Sequence, residues 1–124
     1  MTERANVLVV DDELGPRESM RMILKPLHNV FTAEDGVSAL KTIQQEPIDL
    51  VTLDLRMPGI DGLALAGILA RFAAPPPVVF VTAYDNHAVD AFELAAVDYL
   101  LKPIRAERLA LALTRVRQAI ESRR

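Results

Sequence analysis

The chain of 124 residues has no cysteine, which excludes disulfide scaffolds, thiolate zinc sites and cysteine nucleophiles. That absence also fits a reducing compartment. Histidine is nearly as scarce: His28 and His87 are the only two, far apart in unrelated contexts, so no histidine-based metal site is expected. There is no basic excess either. Lysine and arginine total 14 against 17 aspartates and glutamates, a net charge of -3, the wrong sign for direct contact with nucleic acid. No apolar run approaches the roughly 20 residues of a membrane helix, and no apolar segment follows Met1, Thr2, Glu3 and Arg4 as in a signal peptide. What is present is globular: 51% hydrophobic and 25% charged residues, with length for one core and no second. The expectation is a single cytoplasmic domain over 1–124, its core spanning about 6–120, with no membrane partner.

Short apolar runs alternate with amphipathic stretches. Residues 7–10 (Val7, Leu8, Val9, Val10) form a buried-strand run, stopped by Asp11, Asp12 and Glu13. Gly15 and Pro16 open a helix, where proline's missing N–H costs nothing; Met20, Ile23, Leu24 and Leu27 give it an apolar stripe that Pro26 should end. A second strand is predicted over 30–33. The helix after Asp35 and Gly36 carries Val37, Leu40 and Ile43 and closes at Pro47. A third strand over 48–53 ends at Asp54, and Met57, Pro58 and Gly59 form a turn cluster. A helix is predicted over 61–72, a stiff connector at Pro75, Pro76 and Pro77, and a fourth strand over 78–81 ending at Thr82. A helix over 86–96, a fifth strand over 97–101 ending at Lys102 and Pro103, and a helix with Leu109, Ala112, Leu113, Val116 and Ile120 on one stripe complete the chain.

Five βα units with near-continuous apolar strands predict an α/β fold: a doubly wound, five-stranded parallel sheet of order 2-1-3-4-5 with five helices in three αβα layers. The ligand crevice of such a sheet lies beyond the carboxyl ends of its strands. Asp11, Asp12, Asp54, Thr82 and Lys102 all stand at those ends. Two carboxylates 4 Å apart repel by about 4 kcal/mol at an effective dielectric of 20. A hard divalent cation relieves that repulsion, and Mg2+ suits best because it keeps waters and accepts phosphate oxygens. Any one of these aspartates alone reads as a cap or turn residue; five polar groups on the correct strand ends do not.

The strings 7–13, 53–62, 81–83 and 98–103 together resemble the receiver domains of response regulators, the flavodoxin-like phosphoacceptor domains of two-component signalling, over nearly the whole chain. The resemblance implies that Asp54 is the phosphoacceptor, taking a phosphoryl group from a phosphohistidine on a sensor histidine kinase or phosphotransfer protein. Such transfer needs positioning and charge neutralisation more than acid–base chemistry. It implies Asp12 as a direct Mg2+ ligand, Asp11 as one acting through water, and Asp54 with the backbone carbonyl of Arg56 as the rest of the protein's ligand set. Lys102 pairs with Asp54 and then with the phosphoryl group, Thr82 donates its hydroxyl to it, and the small Ala83 leaves its N–H free to approach. Lys102–Pro103 resembles the family's cis peptide. Thr82 and Tyr99 occupy the switch positions, so that phosphorylation shifts a two-state equilibrium. The protein is then a regulator rather than an ordinary enzyme, with only self-catalysed phosphoryl transfer and autodephosphorylation. It controls an output domain or effector partner, and phosphorylation-dependent homodimerisation is a further option.

Some features are particular to this chain. Arg56 and Tyr84, each two residues past a site residue, are expected to flank the entrance used by hydrolytic water and to slow phosphoryl loss. In the predicted helix over 61–72, Leu63, Ala66 and Leu69 serve the core, leaving Ala64, Gly67, Ile68 and Arg71 as an outer stripe and a candidate partner face. Gly67 costs roughly 1 kcal/mol relative to alanine. Residues 91–104 resemble receivers attached to LytTR-type DNA-binding domains, whereas 12–19 look more like receivers elsewhere in the family. The chain is therefore either a stand-alone receiver or the receiver part of a longer regulator. A haloacid dehalogenase-type phosphohydrolase would want a second aspartate where Arg56 stands, and a flavin binder would want a phosphate cradle where Asp11, Asp12 and Glu13 stand. The remaining alternative is a receiver-fold interaction module that phosphorylation does not regulate.

Overall fold

The computed structural model describes residues 4–83 and 96–122. Five parallel strands form one sheet of order β2-β1-β3-β4-β5: β1 (Asn6–Val10), β2 (Asn29–Ala33), β3 (Leu50–Leu53), β4 (Val78–Thr82) and β5 (Asp98–Leu101). Four helices are present among the described residues: α1 (Leu14–Leu24), α2 (Gly36–Gln45), α3 (Gly62–Leu69) and α4 (Ala106–Ser122). The helix expected over 86–96 lies outside the described residues, as do Tyr84 and His87, apart from Ala96 itself. No described helix is long and apolar enough to cross a membrane.

Strand period 2 divides the core into two layers. Leu8, Val10, Val51, Leu53 and Phe80 pack with Ala39 of α2 and Leu65, Ala66 and Leu69 of α3. Val7, Val9, Val79, Val81 and Leu100 point the other way, onto Met20 and Leu24 of α1 and Leu109, Ala112 and Val116 of α4. Both faces of the central strands are thus covered, which is why they read as near-continuous apolar runs.

The helix ends differ from the sequence expectation for local reasons. Of the expected α1 stripe Met20 and Leu24 are buried and Ile23 is exposed; the helix ends at Leu24, past which the amides of Leu27 and His28 both bond the Leu24 carbonyl around Pro26. Leu27 is consequently 76% exposed. Helix α3 stops at Leu69 rather than at 72, since the N–H groups of Arg71 and Phe72 bond to Ile68 and Leu69 in tight three-residue turns. Its inward face is Leu65, Ala66 and Leu69, with Leu63 only half-buried. Asp35 and Asp61 cap α2 and α3, accepting from the amides of Ser38 and Ala64 at 2.8 Å each.

Candidate functional site

Register brings the polar residues together. Val10 pairs with Leu53 in the ladder, so Asp11 and Asp54 leave the sheet side by side, and the Asp54 amide still bonds the Val10 carbonyl at 3.1 Å. Thr82 pairs with Leu101, and the Lys102 amide continues that ladder to the Thr82 carbonyl at 2.8 Å. All four strand ends therefore open on one crevice.

The turn after Asp54 folds the chain back over it. Gly59 takes φ +77, a left-handed conformation other residues adopt at a cost. Gly62, the first residue of α3, sits against β3 so closely that a Cβ there would lie 2.1 Å from the Asp54 carbonyl oxygen. The start of α3 is thus seated directly on the backbone of Asp54 and Leu55.

Within the crevice, Asp11 and Asp54 are buried and Asp12 is exposed. One carboxylate oxygen from each of the three can be chosen so that all lie within 4.8 Å of one another. The Lys102 ammonium bridges two of them, at 2.7 Å to Asp11 Oδ2 and 3.1 Å to Asp54 Oδ2. Burial alone would lower the lysine's pKa; its bonds and charge interactions with Asp11 and Asp54 outweigh burial and hold it above the ordinary value. One ammonium against three carboxylates leaves two negative charges uncompensated in the cluster. An all-oxygen donor set with that deficit fits a hard divalent cation such as Mg2+. The amide of Arg56 donates to Asp54 Oδ1 at 3.3 Å.

Thr82 is fully buried. It lies two residues beyond Phe80, whose ladder partner is Tyr99, so Thr82 and Tyr99 share a face of the sheet. The Phe80 and Tyr99 rings stand 6.4 Å apart, tilted at 49°. The Lys102–Pro103 peptide is cis, as the resemblance implies. Arg56 is exposed, in a cleft with Asp12, Met57 and Asp61; Tyr84 is outside the described residues. Ala64 and Ile68 on α3 and Arg71 just past its end are exposed, and Gly67 is half-exposed with open space at its missing Cβ.

Two contacts escaped the sequence reading. The Arg17 guanidinium on α1 donates to the Asp11 carbonyl at 2.9 Å. At the opposite end of β5, the buried Asp98 carboxylate accepts from Arg108 at 2.7 and 2.9 Å and from Arg115 at 2.8 Å. Burial would raise the Asp98 pKa; the two arginines and the Tyr99 amide at 2.8 Å together bring it below the usual carboxylate value. The only sequence signal was the spacing of Arg108 and Arg115, two helical turns apart on one face of α4.

Comparison with known proteins supplies the context of this site. The family model of the response regulator receiver domain matches residues 7–114. The positive alginate biosynthesis regulatory protein of Pseudomonas aeruginosa is 46% identical over 112 residues, 87% of this chain and 45% of that protein. The sensory transduction protein LytR of Streptococcus agalactiae is 40% identical, over 90% of this chain and 48% of its own length. The chain spans about half the length of the curated relatives it matches. The response regulator TrrA of Thermotoga maritima, solved in complex with Mg2+-BeF, superposes with a TM-score of 0.82 at 34% identity, covering 90% of this chain and 98% of that one.

Proposed function

Because the chain belongs to the response regulator receiver family, we propose that Asp54 accepts a phosphoryl group from the phosphohistidine of a sensor histidine kinase or phosphotransfer protein, in a Mg2+-dependent reaction. The observation that carries this reading is the meeting of Asp11, Asp12 and Asp54 around an ammonium that already bridges two of them. In the transfer, an Asp54 carboxylate oxygen forms the new P–O bond as the P–N bond breaks. The electron pair stays on the imidazole nitrogen, which takes up a proton. Asp12, Asp11, Asp54 and the Arg56 carbonyl would hold the metal, which when bound would supply positive charge to the phosphoryl oxygens. Lys102 follows the charge from the carboxylate to the phosphoryl group. The Thr82 hydroxyl and the Ala83 amide complete the donors on the opposite side. The relative solved with Mg2+-BeF supports the metal assignment.

The reading extends to the output. Thr82 moves toward the phosphoryl group and Tyr99 follows on the shared face, so that phosphorylation biases two arrangements of β4 and β5. The receiver passes that bias to an output domain, an effector or a second copy of the chain in the cytoplasm. The exposed Arg56, with Tyr84, shields the acyl phosphate from water.

Native mass spectrometry after incubation with acetyl phosphate and Mg2+ tests the proposal. The expected result is one phosphoryl adduct on the wild type, absent without Mg2+ and absent in Asp54→Ala. An adduct that survives Asp54→Ala overturns it. The same spectrum separates a phosphorylation-dependent dimer from a monomer that works through a partner.

A further inference from the structure

The three carboxylates are not held alike. Asp11 is buried with both oxygens engaged, Oδ1 by the Glu13 amide at 3.0 Å and Oδ2 by Lys102 at 2.7 Å. Asp54 is buried between Lys102 and the Arg56 amide. Asp12 is exposed, and its place follows from the backbone that carries it. That backbone is the three-residue link from β1 to α1, and the peptides on both sides of Asp11 are fixed. The Asp11 amide donates to the Ala33 carbonyl of β2 at 3.1 Å. On the other side, Arg17 Nη1 reaches back from the first turns of α1 to the Asp11 carbonyl at 2.9 Å. That carbonyl belongs to the peptide joining Asp11 to Asp12, so the bond sets the plane from which the Asp12 side chain departs. Arg17 also closes the first helical turn through its own amide, which bonds the Glu13 carbonyl at 3.2 Å.

We propose that Arg17 is a positioning residue of the metal site: it orients the Asp11–Asp12 peptide and thereby holds Asp12 ready for a divalent cation. The inference rests on the Mg2+ reading above. A guanidinium on the Asp11–Asp12 peptide acts in two ways, and their signs are opposite for cation binding. As a charge it repels a divalent ion, so its removal tightens binding. As an orienting group it pre-forms the site, so its removal weakens binding.

The test is a titration of the full chain with Mg2+, followed by amide chemical shifts, at low and high ionic strength. Wild type, Arg17→Met, Arg17→Lys and Asp12→Ala are compared, with thermal unfolding of each variant as the check on folding. The expected result is a Kd raised about tenfold in Arg17→Met, the scale on which groups that orient metal ligands act. The loss persists at high salt, where Coulombic effects of exposed charges are screened. Arg17→Lys keeps the charge on a shorter stem without the planar fork and also weakens binding. An Arg17→Met Kd equal to or tighter than wild type overturns the inference, and if that variant does not fold, an unchanged Kd in Arg17→Lys does so. A wild type that does not bind Mg2+, or an Asp12→Ala variant that binds as well as wild type, overturns instead the metal reading on which the inference rests.

Discussion

Strand β5 is four residues long and ends in two ion clusters of opposite design. At its carboxyl end one lysine bridges two of three clustered carboxylates; at its amino end one carboxylate serves two arginines. The Asp98 cluster is complete. Its carboxylate is 3% exposed and fully hydrogen-bonded, while the arginines keep part of their surface in water, with side chains 39% and 47% exposed. Little is gained there by adding an ion. The Lys102 cluster is incomplete, since its carboxylates outnumber its cations and one of them faces solvent. Similar distances therefore serve opposite ends: one cluster fastens α4 to the sheet, the other keeps a deficit of positive charge for a ligand to fill.

The contrast is broken most directly by Asp98→Ala. Removing one partner of a buried ion pair costs about 3–5 kcal/mol. The partly exposed arginines recover some hydration, so a loss of about 2 kcal/mol in urea unfolding is expected, with Mg2+ affinity unchanged. Neutralisation at the other end has the opposite sign. Asp54→Asn relieves repulsion while Lys102 keeps Asp11, so metal-free stability rises by about 1 kcal/mol. The same variant should abolish the stabilisation expected from Mg2+ at the proposed site, about 1.4 kcal/mol for wild type at ten times Kd. A destabilised Asp54→Asn would show that the two clusters are alike after all.

Protonation sharpens the comparison. Asp98 lies below its unfolded pKa, so its contribution is complete above the ordinary carboxylate range and is lost as pH falls through the lower folded value. Lys102 lies above its unfolded pKa, so its contribution is complete below about pH 10 and is lost as pH rises through the raised folded value. Stability profiles of Asp98→Asn and Lys102→Met should accordingly flatten on the acid and the alkaline limb respectively. The smallest effect is expected away from both clusters. Ile68→Glu, on the exposed stripe of α3, should change stability by less than about 0.5 kcal/mol. A change in self-association or partner binding in that variant would mark the stripe as a contact face.

Strand order and the convergence of Asp11, Asp12, Asp54 and Lys102 were legible in the sequence because the central strands are near-continuous apolar runs stopped by polar residues. A run and its stop are local signals, and a parallel sheet places all the stops on one side. Helix ends were less legible. Leu27 continues the α1 stripe in sequence, yet Pro26 has already turned the chain away. Leu65 was missed because α3 is apolar nearly all round, so no stripe singles out its inward face. Asp98 and Arg17 carried no signal of their pairing, and the spacing of Arg108 and Arg115 put the two on one helix face without naming their partner. Their partners are fixed by where a strand end meets a helix face or where a helix meets a loop carbonyl, and an arginine on an amphipathic helix looks the same whether it faces water or a buried carboxylate.

The seat of α3 on β3 has a consequence for how this protein tolerates change. Any side chain at position 62 must displace the backbone of Asp54 and Leu55, since a Cβ there would fall 2.1 Å from the Asp54 oxygen and 2.7 Å from the Leu55 Cα. In a saturation library selected for signalling, Gly62 should therefore be as intolerant as Asp54 itself, while Gly67, five residues along the same helix with open space around it, accepts alanine freely. A residue with no chemistry of its own would be scored as though it were part of the reaction.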